Sequence, residues 1–206
     1  MSTERPSLVT TGSTVAAAEK IVAWLKPELE GANPDQVKMV ERHIGQFSSP
    51  EDVKRYLSGR DGCIRLAALR VRNIRHQAGG MVGLVNWAAY VMATDAWAYG
   101  RDLRAEVMVG KLARRLTLPT AAKALGAETR AEDITADNIY SGNLDSLGVT
   151  IWVVTWNQEF KLDEEVDITT LPDFLRLGMT TSAHGGEEIN GVINVREQQD
   201  DENETD

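Results

Sequence analysis

Apolar residues recur at Ala18, Ile21, Val22, Leu25 and Leu29, the i, i+3, i+4, i+7, i+11 spacing of one helix face. The spacing predicts a first helix that Pro27 kinks or ends and that Gly31-Ala-Asn-Pro34 closes. The period then drops to two. Val37, Met39, Glu41 and His43 alternate with Lys38, Val40 and Arg42, as the positions of a first strand do. Ser49-Pro50-Glu51-Asp52 places a capping hydroxyl, a proline at the first helical position and acids in the first turn. A second helix is expected there, burying Val53, Tyr56 and Leu57 and stopping near Gly59.

The middle of the chain reads as β structure. Residues 62–75 and 81–94 are apolar-rich and separated by Gln77-Ala-Gly-Gly80, which predicts a long antiparallel hairpin. Arms of about 14 residues would each exceed roughly 40 Å at ~3.3 Å per residue. Strands usually have roughly 3–10 residues, so the arms are expected to be broken by bulges or to project from the body. The second arm is apolar on both faces and should be covered on both. In the first arm, simple alternation puts Arg65 on one face and Arg70 and Arg72 on the other. Helical spacing returns from Arg101 to Leu116, with Ala105, Met108, Val109, Leu112 and Leu116 as its stripe. A loop through Gly126 and the acidic Glu128–Asp137 stretch then leads to a strand from Val149 to Glu159. Weak alternation at Phe174–Met179 and Val192–Val195 ends the pattern.

This order predicts an α+β fold: a single domain with a mostly antiparallel four- to five-stranded sheet, a long hairpin and flanking helices. The domain is expected to span 13–196, between a flexible segment 1–12 and a disordered acidic tail 197–206 that holds six acids and no base.

Composition narrows the class. A chain of 206 residues that is 42% hydrophobic can bury a core of its own. Its apolar runs fall short of the ~18 residues of a membrane span, and its first residues lack the basic-then-apolar order of a secretion signal. An intracellular-type protein is expected. One cysteine, Cys63, leaves no internal disulfide framework. The net charge of −9 is unevenly distributed: residues 1–127 carry 18 Lys and Arg against 12 Asp and Glu, and residues 128–206 carry 4 against 19. That split suits either a solvated surface or copies meeting basic side to acidic side. Lys54–Arg75 is the densest basic stretch and suggests a nucleic-acid patch. No recognised nucleic-acid-binding signature accompanies it, and the whole chain would repel phosphate.

Candidate chemistry is sparse. His43, His76 and His184 have no partner at metal-ligand spacing. Cys63 lacks a nucleophile signature, and no serine sits in a G-x-S-x-G elbow. Gly79-Gly80-x-x-Gly83 lies at a strand-to-strand turn, where a phosphate loop would open a helix. Glu164-Glu165 and Glu187-Glu188 read as solvated acids. No catalytic residue, metal ligand or cofactor is expected, and the chain reads as a non-enzyme. Among the aromatics, Trp87 and Trp152 fit a core. Trp97, at a strand exit, and Trp156, where a strand turns polar, fit anchors of a subunit contact.

Three segments carry a family likeness: Ser48-Ser49-Pro50-Glu51, Ala88 through Asp102, and Asn138 through Trp156. Over roughly residues 15–160 the chain resembles the tail terminator, or tail completion, proteins of Mu-like bacteriophages and prophages. The resemblance implies a homohexameric ring that caps the tail tube and offers a docking surface to the head–tail connector or neck protein. The sheath protein is a further partner, and DNA passes through the ring without specific binding. It also implies a place in the virion, at the tail–neck junction, reached by assembly in the host cytoplasm, with no catalytic residues. Partner contacts are expected at Arg65, Arg70, Arg72, Arg75, Trp97 and Trp156. Glu128–Asp137, Asp163–Asp167 and the acidic tail are alternative linings for the ring's lumen. The alternatives to this function are a connector or stopper subunit, a nucleic-acid binder using Lys54–Arg75, and an enzyme with a site around His184 and Glu187.

Overall fold

A computed structural model describes residues 7–47, Val53, 62–77, 80–139 and 142–163, together with the backbone of two strands, Arg176–Thr181 and Ile189–Asn194. The chain divides into two compact units, Met1–Glu164 and Glu165–Asp206.

The first unit begins with α1 (Thr14–Leu29). The Oγ of Ser13 accepts from the amides of Val15 and Ala16 at 3.2 and 3.4 Å, which satisfies donors the first turn leaves without helical partners. The helix runs two residues past Pro27. Leu25 and Leu29 are fully buried and hold that last turn in the core. The strand expected over Val37–His43 is shorter, β1 (Val40–Arg42). Val37 pairs back onto the end of α1, its amide donating to the Leu29 carbonyl at 2.8 Å and its carbonyl accepting from Gly31 at 3.0 Å. Those backbone groups are therefore already used and cannot extend β1.

The long hairpin comprises β2 (Cys63–Gln77) and β3 (Gly80–Ala93). Its first arm is interrupted by bulges between Ala68 and Arg70 and between Arg72 and Arg75. Gly62 enters β2 at φ 82°, where a Cβ would sit 2.1 Å from the Met92 carbonyl oxygen, so only glycine fits. After β3 come α2 (Arg101–Thr117), α3 (Ala121–Leu125), β4 (Glu132–Asn138), α4 (Gly142–Asp145) and β5 (Thr150–Lys161). The sheet order is β1-β2-β3-β5-β4. β1 is parallel to β2 and the other neighbours are antiparallel, giving a mixed sheet. β5 follows β3 from Ala93↔Thr150 to Val82↔Lys161, so a third strand supports most of the hairpin.

β4 is a correction to the loop expected over Glu128–Asp137. Six of its seven residues are exposed. It is a strand through backbone pairing to β5 at the sheet edge, so no buried face marks it in the sequence.

Apolar residues cover both faces of the sheet. On one, Ile21 and Leu25 of α1 and Met108, Leu112 and Leu116 of α2 pack with Ile64, Leu66, Trp87, Val91, Val154 and Trp156. On the other, Cys63, Ala67, Ala88, Met92 and Ile151 form a smaller cluster with Val53 and Val149. This double cover accounts for the apolar character of both faces of β3. Arg115 of α2 lies over the Trp24 ring of α1 at 3.7 Å and donates from Nε to the Trp24 carbonyl at 3.3 Å, which fastens the two helices. The helix expected from Ser49 lies outside the described residues except for Val53, which is helical and buried.

The second unit contributes β6 (Arg176–Thr181) and β7 (Ile189–Asn194), an antiparallel pair running from Arg176↔Asn194 to Thr181↔Ile189. The flexible segment expected at 1–12 is described only from Ser7, and the acidic tail 197–206 lies outside the described residues.

Candidate functional site

A bulge adds one residue to one strand and reverses side-chain alternation beyond it. Past Ala68↔Trp87, pairing resumes at Arg70↔Asn86 and Arg72↔Leu84, on the face that carries Ala88 and Tyr90. Arg65 lies opposite Tyr90. Arg65, Arg70 and Arg72 therefore share one face, which corrects the split that simple alternation implies. The second bulge brings Arg75 to the same face, opposite Val82.

Arg65 sits at the covered end, buried and ion-paired with Glu41 of β1. The other three occupy the open end, where a polar ladder crosses four strands. Nη2 of Arg72 donates to Oδ1 of Asn157 at 3.2 Å, and Nδ2 of Asn86 donates to the same oxygen at 3.1 Å. Nδ2 of Asn157 then donates to Oδ2 of Asp133 at 2.9 Å. Arg75 grips both carboxylate oxygens of Glu159 at 2.7 and 3.1 Å. Those hydrogen bonds hold the Glu159 carboxyl below its ordinary range and raise the Arg75 guanidinium. Arg70 is exposed and makes no hydrogen bond or ion pair among the described residues.

A second feature lies at the exit of β3. The amides of Ala96 and Tyr99 donate to each other's carbonyls at 3.2 and 2.9 Å, closing a two-residue turn. Its central residues, Trp97 and Ala98, have φ of 57° and 61°. Turns of this kind normally take Asn or Gly at both places, so two ordinary side chains here carry backbone strain. Asp95 steadies the turn by accepting from the Arg101 amide at 2.8 Å, and Arg101 is ion-paired with Asp145. The turn points Trp97 outward, 61% exposed.

Tyr99 lies just before α2, and Leu103 and Val107 stand one turn apart on it; the three are 50%, 52% and 41% exposed. With Pro34 they line a hollow of about 280 Å³. Arg104, also lining it, is buried and donates to the carbonyls of Pro34, Thr94 and Gln36 at 2.7, 2.5 and 3.0 Å. At the rim, Lys111 reaches Asp35 at 2.5 Å. That hydrogen bond keeps the Asp35 carboxyl below its ordinary range.

Trp156 is not on the surface. It is fully buried, its ring 6.4 Å from that of Trp87, with Nε1 donating to Gln158 at 3.3 Å. The helices cover the face of β5 on which it stands, so it is a core residue rather than a subunit anchor. His43 is buried and stacked on Phe47 at 4.3 Å, and His76 is exposed. Cys63 is buried with its Sγ 3.8 Å from the Met92 sulfur. His184 and Glu187 lie outside the described residues. Among the described residues, no three of His, Cys, Asp and Glu are grouped to hold a metal, and no helix is long and apolar enough to cross a membrane.

Asp133 is expected only as part of the acidic Glu128–Asp137 stretch, and Asn86, Asn157, Arg104 and the Leu103–Val107 line are not among the expected site residues. For the last there was a signal, two large aliphatic residues off the buried stripe of α2. For the asparagines there was none, since only strand register brings them together. No protein-family model matches the chain, and no curated protein matches it in sequence.

Proposed function

We propose that this protein is a subunit of the ring that finishes a bacteriophage tail, a terminator that caps the tube and gives the head connector its docking surface. The supporting observation is the patch of Trp97, Tyr99, Leu103 and Val107. Four large apolar side chains stand exposed, the first presented by a strained turn and the other three lining a hollow. A strained turn persists where surrounding bonds over-determine it, and such sites concentrate where a molecule works. An aromatic and aliphatic cluster of this kind suits burial by a protein partner. The family resemblance supplies the partners: further copies of the chain, the tail tube protein, the connector and the sheath. The role is assembly rather than catalysis, at the tail–neck junction of the virion, with DNA passing through unbound.

The arginines at the open end of the sheet favour a nucleic-acid reading as the second choice. Against it, Arg72 and Arg75 are already held by Asn157 and Glu159, and the nearby Asp133 and Glu159 offset their charge. A connector ring would use the same patch and differ in its position in the virion.

Sedimentation velocity and micrographs of the purified protein, alone and with tail tube protein, test the proposal. Six-membered rings are expected in at least the second condition. A monomer in both would sink the idea.

A further inference from the structure

The two long edges of the sheet carry opposite charge. β1 accompanies β2 only as far as Arg42↔Leu66, and no described strand flanks the outer side of β2 beyond that point. The open part, Arg70 to Gln77, holds three arginines and no acid, and every residue but Val71 is exposed. At the other edge β4, Glu132 to Asn138, holds three acids and no base, and only Ile134 is less than exposed. The two segments have eight and seven residues, each about 25 Å long. Among the described residues both edges are uncovered, and an edge of this length presents unpaired backbone N–H and C=O groups, a template for another strand.

We infer that successive copies of this chain join edge to edge, the open segment of β2 on one copy pairing with β4 of the next to continue the sheet across the subunit boundary. The inference rests on the ring reading above and names the surfaces that would form the ring. The contact is head-to-tail, between two different patches, as a closing ring requires. Like edges would repel, basic on basic or acidic on acidic, which disfavours the twofold alternative. Strand direction agrees. β2 and β5 run one way and β3 and β4 the other, so β4 meets a neighbouring β2 antiparallel when all copies point the same way along the axis.

The edges are also offset. Thr135, at the middle of β4, is level with Thr155 of β5, whereas Arg72 and Arg75 are level, through Leu84 and Val82, with Glu159 and Lys161. An offset of about five residues, ~17 Å, across the four strands from β2 to β4 spaced ~4.8 Å inclines the strands by roughly 40° to the ring axis, within the range of closed β-sheets. Each edge carries a bulge with one non-glycine residue in the left-handed region, Asn73 at φ 51° and Asp133 at φ 51°. Kinks of this kind discourage an unmatched flat strand.

Charge reversal on one edge at a time tests the inference, with Arg70→Glu/Arg72→Glu for the basic edge and Glu132→Lys/Asp137→Lys for the acidic edge. Assembly is read by sedimentation with tube protein present, and folding by near-ultraviolet circular dichroism. Each double variant alone has two edges of one sign, and its self-association should fall by about tenfold or more. Mixed one to one, the two should recover wild-type assembly as alternating rings, which close for six copies. A chain carrying all four changes should assemble by itself. Single-edge variants that assemble as well as wild type would overturn the edge contact and leave the ring reading standing. Loss of assembly that neither the mixture nor the four-change chain restores would also overturn it. A wild-type protein that stays monomeric with tube protein removes the ring reading, and this inference with it.

Discussion

Trp156 and Trp97 both follow a strand's transition from apolar to polar residues, yet they carry different burdens. The first is sealed against Trp87, with Phe160 meeting Trp87 edge-on at 5.6 Å. The second is 61% exposed on a turn that its own bonds keep in a left-handed conformation. Trp156→Ala should lower stability by about 3–5 kcal/mol through lost burial and the cavity left behind. Trp97→Ala should change it by no more than about 0.5 kcal/mol, because little buried contact is removed, while weakening the proposed ring assembly. Urea unfolding and sedimentation of both variants separate the two roles. Equal destabilisation would show that Trp97 is part of the fold rather than of a contact.

One ion pair, Arg75 with Glu159 of β5, should make the open end of the β2–β3 hairpin sensitive to pH. Because Arg75 holds the folded-state pKa of Glu159 below its ordinary value of 4.5, the pair adds stability that is complete above that value. The contribution disappears as the pH falls through the lowered folded value. Amide exchange in Arg75–Gln77 and Val82–Leu84 should therefore quicken on acidification, relative to the covered end of the same strands. Glu159→Gln should remove most of that pH response. A response unchanged in Glu159→Gln would assign it to other carboxylates.

The elements also show how much was legible in the sequence. The buried stripe of α2 and the double cover of β3 follow from apolar spacing, because burial leaves a periodic trace. β4 leaves none: Glu, Asp and Asn are poor strand formers, and an exposed edge strand needs only its backbone bonds. The shortening of β1 was equally hidden, since it results from Val37 bonding to Leu29. Of the expected contact residues, Trp97, Arg70, Arg72 and Arg75 are exposed, whereas Arg65 and Trp156 are buried.

At the scale of the whole molecule, charge separation along the chain becomes charge separation across the sheet. Head-to-tail contacts either close into rings or extend without limit, according to the rotation each contact imposes. A terminator has to close. The wild-type assembly should therefore keep one size as protein concentration rises, whereas an open assembly would grow. Light scattering over a hundredfold concentration range distinguishes these outcomes, and continuous growth would count against a capping role.

By itself the sequence determined the α+β class, the main helices, the long hairpin and the sign of the charge on each segment, because periodic burial and local turn chemistry are written in consecutive residues. Only the tertiary structure decided which arginines share a face, that Trp156 is core, that the acidic stretch is an edge strand, and that the basic and acidic edges lie on opposite sides of one sheet. Those facts depend on bulges and strand register, which arise from backbone pairing between residues far apart in the chain and leave no periodic mark along it.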